Sequence, residues 1–133
     1  MTTFKVTREV PMELLESVCV TALEGGSNYW YFLSDDACRM IRRVVPKSED
    51  PCLSTAILKA VVEHNVAVPI NDAEDEEEII GYFDKKTISA RLNELFNDHA
   101  HRYALEAELN DEGDGNSSDV VFQYLVLGDC IYG

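Results

Sequence analysis

Apolar residues at Leu14, Leu15, Val18, Cys19 and Ala22 recur at 3.6-residue spacing behind Pro11, which suits a first helical turn because it has no N–H to leave unpaired. The pattern predicts an amphipathic helix over 11–24, ended by Gly25. Before it, Phe4, Val6 and Val10 alternate loosely across 3–10, as in a short strand or an arm. After it, Ser27 and Asn28 favour a turn. Tyr29 to Leu33, rich in strand-preferring aromatics, reads as a strand, with a further helix as the alternative.

Ser34-Asp35-Asp36 is an N-cap followed by acids where the helix dipole favours them, and Arg39, Arg42 and Arg43 lie toward the other end. A helix over 35–44, stopped by Pro46, is expected. Ser48-Glu49-Asp50-Pro51 repeats the start signal, and Leu53, Ala56, Ile57, Ala60 and Val61 form the next stripe, ending near His64-Asn65. Val66, Val68 and Ile70 alternate, and Ile79 to Phe83 gives a second apolar segment, so an antiparallel hairpin with its loop at 71–78 follows. Asp84 caps what reads as the longest helix, 85–108, with Ile88, Leu92, Leu95, Phe96, Tyr103 and Leu105 on its buried side. Residues 110–118 contain no apolar side chain and read as a solvated loop. Asp119 to Tyr132, nearly continuously apolar behind a Ser118 cap, reads as a buried helix, with a core strand as the other option. The expected fold is α+β: a helix-dominated single domain over 1–133 with a β-hairpin, a buried C-terminal helix and room for a short third strand.

A chain of 133 residues suits one ordinary core. No apolar run approaches the ~20 residues of a membrane span, and the start of the chain lacks the charged and apolar regions of a signal peptide. A cytoplasmic location and no membrane partner are therefore expected. Cys19, Cys38, Cys52 and Cys130 form no C-x-x-C pair and read as reduced thiols. The formal net charge is −14, and it is lopsided: residues 1–66 hold 9 acids and 7 bases, residues 67–133 hold 16 acids and 4 bases. Such a surface repels nucleic acid, whose affinity for proteins comes mainly from Lys and Arg, and suits a basic protein partner. Simple solubility is the plainer use of the same charge.

The acids concentrate in two loops. Asp72, Glu74, Asp75, Glu76, Glu77 and Glu78 place six carboxylates in seven residues, and Asp111, Glu112 and Asp114 punctuate a glycine-rich segment. Neither has the ligand order or the closing glutamate of an EF-hand, so no metal is expected there. His99 and His101, two apart on the expected long helix, would point about 200° apart and could not grip one ion together. No nucleophile elbow, P-loop or G-x-G-x-x-G occurs, and no cofactor is expected. Glu24, beside Gly25 and Gly26, has the residue type of a general base, although a packing or capping role at a helix end is the commoner one. Gln123 sits among apolar neighbours, so its amide is expected to be buried and hydrogen-bonded, to backbone or to a ligand.

Two separated stretches carry a resemblance. Ala22-Leu23-Glu24-Gly25-Gly26-Ser27-Asn28-Tyr29-Trp30 and Asp119-Val120-Val121-Phe122-Gln123, the latter followed by Leu127-Gly128-Asp129-Cys130-Ile131-Tyr132-Gly133, resemble a group of small uncharacterised phage and prophage proteins. Those proteins carry an E-G-G-x-x-Y-W block and end in a D-x-x-x-Q…G-E-x-x-Y-G block. Asp129 stands here in place of the second block's glutamate. The resemblance lies within residues 22–30 and 119–133 and implies an accessory factor acting in the cytoplasm of a bacterial host.

Two functional expectations follow. The first is a non-enzymatic protein that uses the acidic residues Asp72, Glu74 to Glu78, Asp111, Glu112 and Asp114 to bind and inhibit a basic host protein, for example a defence enzyme or another nucleic-acid-binding enzyme. The second is a nucleotide-like ligand pocket at Glu24, Gly25, Gly26, Tyr29, Trp30, Asp119 and Gln123, with aromatics from Tyr29 to Tyr31 stacking a base. Catalysis by a Glu24–Asp119 carboxylate pair ranks third, because no nucleophile accompanies it.

Overall fold

Ser117 to Val126, ten consecutive residues of the C-terminal helix, are all buried, and the other elements are arranged around them. From Val120 to Val126 only Gln123 and the Tyr124 hydroxyl are polar, and a helix apolar on nearly every side is stable only when it is surrounded. The computed structural model describes residues 2–3 and 8–133, so most of the alternation expected over 3–10, including Phe4 and Val6, lies outside the described residues.

The described chain runs α1 (Met12–Thr21), a π-type turn (Ala22–Gly26), β1 (Tyr31–Phe32), α2 (Asp35–Val44), α3 (Leu53–His64), β2 (Val68–Asp72), β3 (Ile79–Phe83), α4 (Lys85–Phe96), α5 (Arg102–Leu109) and α6 (Gly115–Leu127). It is a helix-dominated α+β fold, as the hydrophobic pattern predicts. Helix α6 packs against α1, α4, α5, β3 and the π-type turn, and the buried apolar side chains form one cluster. No helix of the described residues is long and apolar enough to cross a membrane. All four cysteines are free.

The sheet is antiparallel in the order β1-β2-β3. Tyr31 pairs with Asp72 and Phe32 with Asn71, so β1 covers only the far end of β2. Pro69 is therefore tolerated in the middle strand: its missing N–H lies beyond the reach of the two-residue neighbour. On the other side Ile70 pairs with Gly81 and Asn71 with Ile79, with a bulge between Ile70 and Asn71. Gly81 is where the sheet meets the central helix. A Cβ there would stand 2.6 Å from the Val126 carbonyl oxygen, so no larger residue fits without moving backbone.

Several ends fall where the local chemistry puts them. Ser34 Oγ accepts the Ala37 N–H at 3.1 Å and starts α2, while Arg42 and Arg43 sit in its last turn. Asn65, at φ 55°, closes α3.

Three expectations need correction. The long helix over 85–108 is two helices, α4 and α5, joined by a turn at 97–101. Asn97 and Asp98 divert the backbone: Asn97 Nδ2 bonds the Asn93 carbonyl oxygen at 2.8 Å and Asp98 Oδ1 accepts the Ala100 N–H at 2.9 Å, local alternatives to continued helix. His99 and His101 thus lie in a turn, and the argument from opposite helix faces does not apply to them. The solvated loop is shorter than 110–118, because α6 starts at Gly115. Its cap is Asp114 rather than Ser118: Asp114 Oδ1 accepts the Ser117 N–H at 2.9 Å and Ser117 Oγ accepts the Asp114 N–H at 2.8 Å. Finally, α6 ends at Leu127 with Gly128 in the left-handed region, and residues 129–133 turn back along it.

Candidate functional site

The two blocks of the resemblance meet on one buried carboxylate. Asp119 is 6% exposed and, among the described residues, forms no ion pair; instead it accepts four hydrogen bonds. Ser27 Oγ donates to Oδ1 at 2.7 Å and Trp30 Nε1 to the same oxygen at 2.8 Å. The Tyr29 hydroxyl donates to Oδ2, as does Gln123 Nε2 at 3.2 Å. A buried carboxylate satisfied this fully is a favourable arrangement, and removing any donor exposes the desolvation cost of the rest.

The π-type turn makes the geometry possible. Ser27 N–H reaches back to the Ala22 carbonyl oxygen at 2.9 Å, and Gly25 holds a φ of 152° that side chains strongly disfavour. This wide turn swings Ser27, Tyr29 and Trp30 toward the first turns of α6. Gly26 completes the fit, since a Cβ on it would lie 3.1 Å from the Thr21 carbonyl oxygen and 3.3 Å from that of Gly115.

Gln123, fully buried, extends the network by one helical turn. Its Oε1 accepts the N–H groups of Ile131 and Tyr132, both at 2.9 Å, and its Nε2 donates to the Tyr132 carbonyl oxygen at 3.0 Å. The side-chain amide thus pairs with the returning tail as a backbone peptide would. Tyr132, held in place, stacks on Trp30 with ring centroids 5.6 Å apart and planes 7° off parallel. Phe122 lies against Trp30 at 5.7 Å.

Trp30 is 1% exposed, so the junction is closed core around that ring, with Tyr132 occupying the face a stacked base would need. Tyr29 keeps half its surface in solvent while its hydroxyl points inward. Burial, then the bond to Asp119 and that group's charge, push the Tyr29 phenol above its ordinary range. Glu24 is exposed and accepts a bond from Ser54 Oγ at 3.0 Å rather than joining the Asp119 network. A groove of about 720 Å³ between the Arg8–Pro11 segment, α1, α4 and α5 is formed without any of the expected pocket residues.

The acidic hairpin loop is built onto the same network. The Trp30 carbonyl oxygen accepts the Ala73 N–H at 3.0 Å, directly after the Tyr31–Asp72 pair. Within the loop, Asp72 N–H bonds the Glu78 carbonyl oxygen and Glu78 N–H that of Asp75, both at 2.9 Å. Asn71 Nδ2 bonds the Glu76 carbonyl oxygen at 2.7 Å, and Asp72 Oδ1 accepts the Glu74 N–H at 2.9 Å. Glu74, Asp75, Glu76, Glu77 and Glu78 are all exposed. Among the described residues no ion pair involves any of them, and the carboxylates of Glu74, Glu76, Glu77 and Glu78 accept no hydrogen bond. Their field reaches the network: burial and the charges of Asp72, Glu78 and Glu74 raise the Tyr132 phenol.

The second acidic segment is less free. Asp111, Glu112 and Asp114 are exposed, but Asp114 is spent on capping α6. Residue-type reasoning missed Ser27 and Tyr132 as partners. Ser27 carried a readable signal, a hydroxyl between a double glycine and an aromatic block, whereas nothing local marked Tyr132. No protein-family model, curated protein or solved structure matches this chain.

Proposed function

We propose that this chain is a non-enzymatic, phage-type accessory protein that binds a basic surface on a bacterial host protein and inhibits it through the acidic hairpin. One observation carries the reading: five consecutive exposed acids, Glu74 to Glu78, sit on a loop whose backbone is cross-bonded internally and anchored to Trp30. A preorganised charged loop loses little conformational freedom on binding, and like charges held together without counter-ions favour a cationic partner. Acidic groups mimicking a phosphate backbone would compete for the basic surface of a nucleic-acid-binding enzyme. The two blocks of the resemblance then act as scaffold rather than as contact surface.

The test is capture from host lysate at low and high salt, with wild-type protein and with Glu74→Lys, Glu76→Lys and Glu77→Lys combined. A basic partner retained by wild type, lost in the variant and released by salt supports the reading, as does inhibition of the purified partner by wild type alone. Capture and inhibition indifferent to both salt and charge reversal would exclude it.

A further inference from the structure

Away from the Asp119 network, the turn between α4 and α5 comes up against the end of α6. Asp98 and His101 belong to the turn and Asp129 follows the Gly128 cap of α6, and one donor atom from each lies within 4.8 Å of the other two. Asp98 and His101 are half-buried and Asp129 is exposed, so the group opens to solvent on one side. His101 Nδ1 and Asp98 Oδ2 are 2.9 Å apart. Two ligands on one ion with bonds of about 2.0–2.1 Å stand roughly 2.9–3.4 Å from each other, so these two atoms already have the separation of neighbouring ligands. The Tyr124 hydroxyl also donates to Asp98 Oδ2, the kind of outer hydrogen bond that fixes a ligating carboxylate.

We propose that Asp98, His101 and Asp129 bind one divalent transition ion of the zinc class. An ion entering between Asp98 and His101 replaces the proton they share, and the exposed Asp129 side chain swings in as third ligand. The donor set decides the class. An imidazole nitrogen with only two carboxylates suits Zn²⁺ and its neighbours, whereas Ca²⁺ and Mg²⁺ require more oxygen ligands. Two carboxylates balance the ion's charge, and the chain's net −14 draws cations toward it. Three protein ligands leave one position for water. The Cys130 thiol is outside the group, pointing at the Tyr132 carbonyl oxygen 3.7 Å away. The bound ion would clip the α4–α5 turn to the end of α6, two segments the sequence separates by about thirty residues.

The test is calorimetric titration of chelator-treated protein with Zn²⁺ near neutral pH, alongside NMR of the three histidines. The expected result is one Zn²⁺ per chain, with the imidazole signals of His101 moving while those of His64 and His99 stay. Asp129→Asn, at an exposed position, should keep the fold and weaken Zn²⁺ at least about tenfold, and His101→Ala should do the same. Glu74→Gln, Glu76→Gln and Glu77→Gln combined should leave the His101 response unchanged, which separates this site from the acidic hairpin. Absence of Zn²⁺ binding, or binding that leaves the His101 signals unmoved, would overturn the proposal. So would wild-type Zn²⁺ affinity in both ligand variants.

Discussion

Trp30 Nε1 donates to Asp119 Oδ1 at 2.8 Å, a buried bond joining residues 89 positions apart. The bond links the aromatic block that ends the first helical segment to the start of the central helix. Because the Trp30 carbonyl oxygen also holds the acidic hairpin, one residue couples the core to the charged loop.

Replacing Asp119 tests this hub. Asp119→Ala strands several buried donors and should cost about 3–5 kcal/mol. Asp119→Asn keeps the shape but turns an NH₂ group toward Gln123 Nε2 or Trp30 Nε1, and should cost about 1–3 kcal/mol. Urea unfolding followed by the fluorescence of the single tryptophan measures both, with a red-shifted native spectrum expected for the alanine variant.

Tyr29 gives an alkaline limit. Its phenol is raised in the folded protein above the ordinary value of 10.0, so its contribution is full below pH 10 and is lost as pH rises beyond it, where the unfolded chain ionises first. Tyr29→Phe should cost only about 1 kcal/mol near neutrality, since the ring is half exposed, and should flatten the decline above pH 10. Stability against pH, measured for both proteins, checks the sign.

Asp50 gives an acid limit. The Thr55 hydroxyl, at 2.6 Å, is the chief cause holding its carboxyl below the ordinary 3.8, opposed by burial and helped by the Cys52 N–H and Lys59. A depressed value means stability present above pH 3.8 and lost as pH falls below it. Thr55→Val should lower stability by about 1–2 kcal/mol at neutral pH and make the acid loss shallower, as read by acid titration of the fold.

Gly81 tests the packing of sheet on helix. Gly81→Ala would place a methyl 2.6 Å from the Val126 carbonyl oxygen and 2.8 Å from Val126 Cγ1, and should cost about 1–3 kcal/mol through overpacking. Gly115→Ala is the control: its Cβ meets nothing within 4 Å, and the change should be neutral or raise the melting temperature slightly.

Much of this architecture is legible in residue order. The bounds of α2 and β3 and the end of α3 follow from caps and periodicity, because each signal lies within one element. Strand β2 instead runs Val68–Asp72, later than the 66–70 alternation and into the expected loop, and α3 starts after Cys52 rather than at the 48–51 signal. The break at Asn97 was obscured by an apolar stripe running through Phe96 to Tyr103 and Leu105, since periodicity does not register a two-residue diversion of backbone bonds. The Asp114 cap was present as a D-x-x-S spacing, overshadowed by the polarity around it. Read from the sequence, Asp119 groups with Tyr29, Trp30 and Gln123 as a ligand contact, whereas these side chains bond one another. Its partners Ser27, Tyr29 and Trp30 lie in another third of the chain, and no local rule pairs them. Gln123 was legible as a buried amide, but not the strand-like pairing with the tail, which depends on where Gly128 turns the chain.

The separation between Ser27 and Asp119 also has a kinetic meaning. Closing a loop of 92 residues sacrifices chain entropy before any of the network's bonds form, so the hub is expected to assemble after the helices and the hairpin, as a late latch. Substitutions at Asp119 should then leave the refolding rate nearly unchanged and accelerate unfolding, the pattern of a low φ-value. On that account the Asp119 network governs how long the native molecule lasts rather than how quickly it is made.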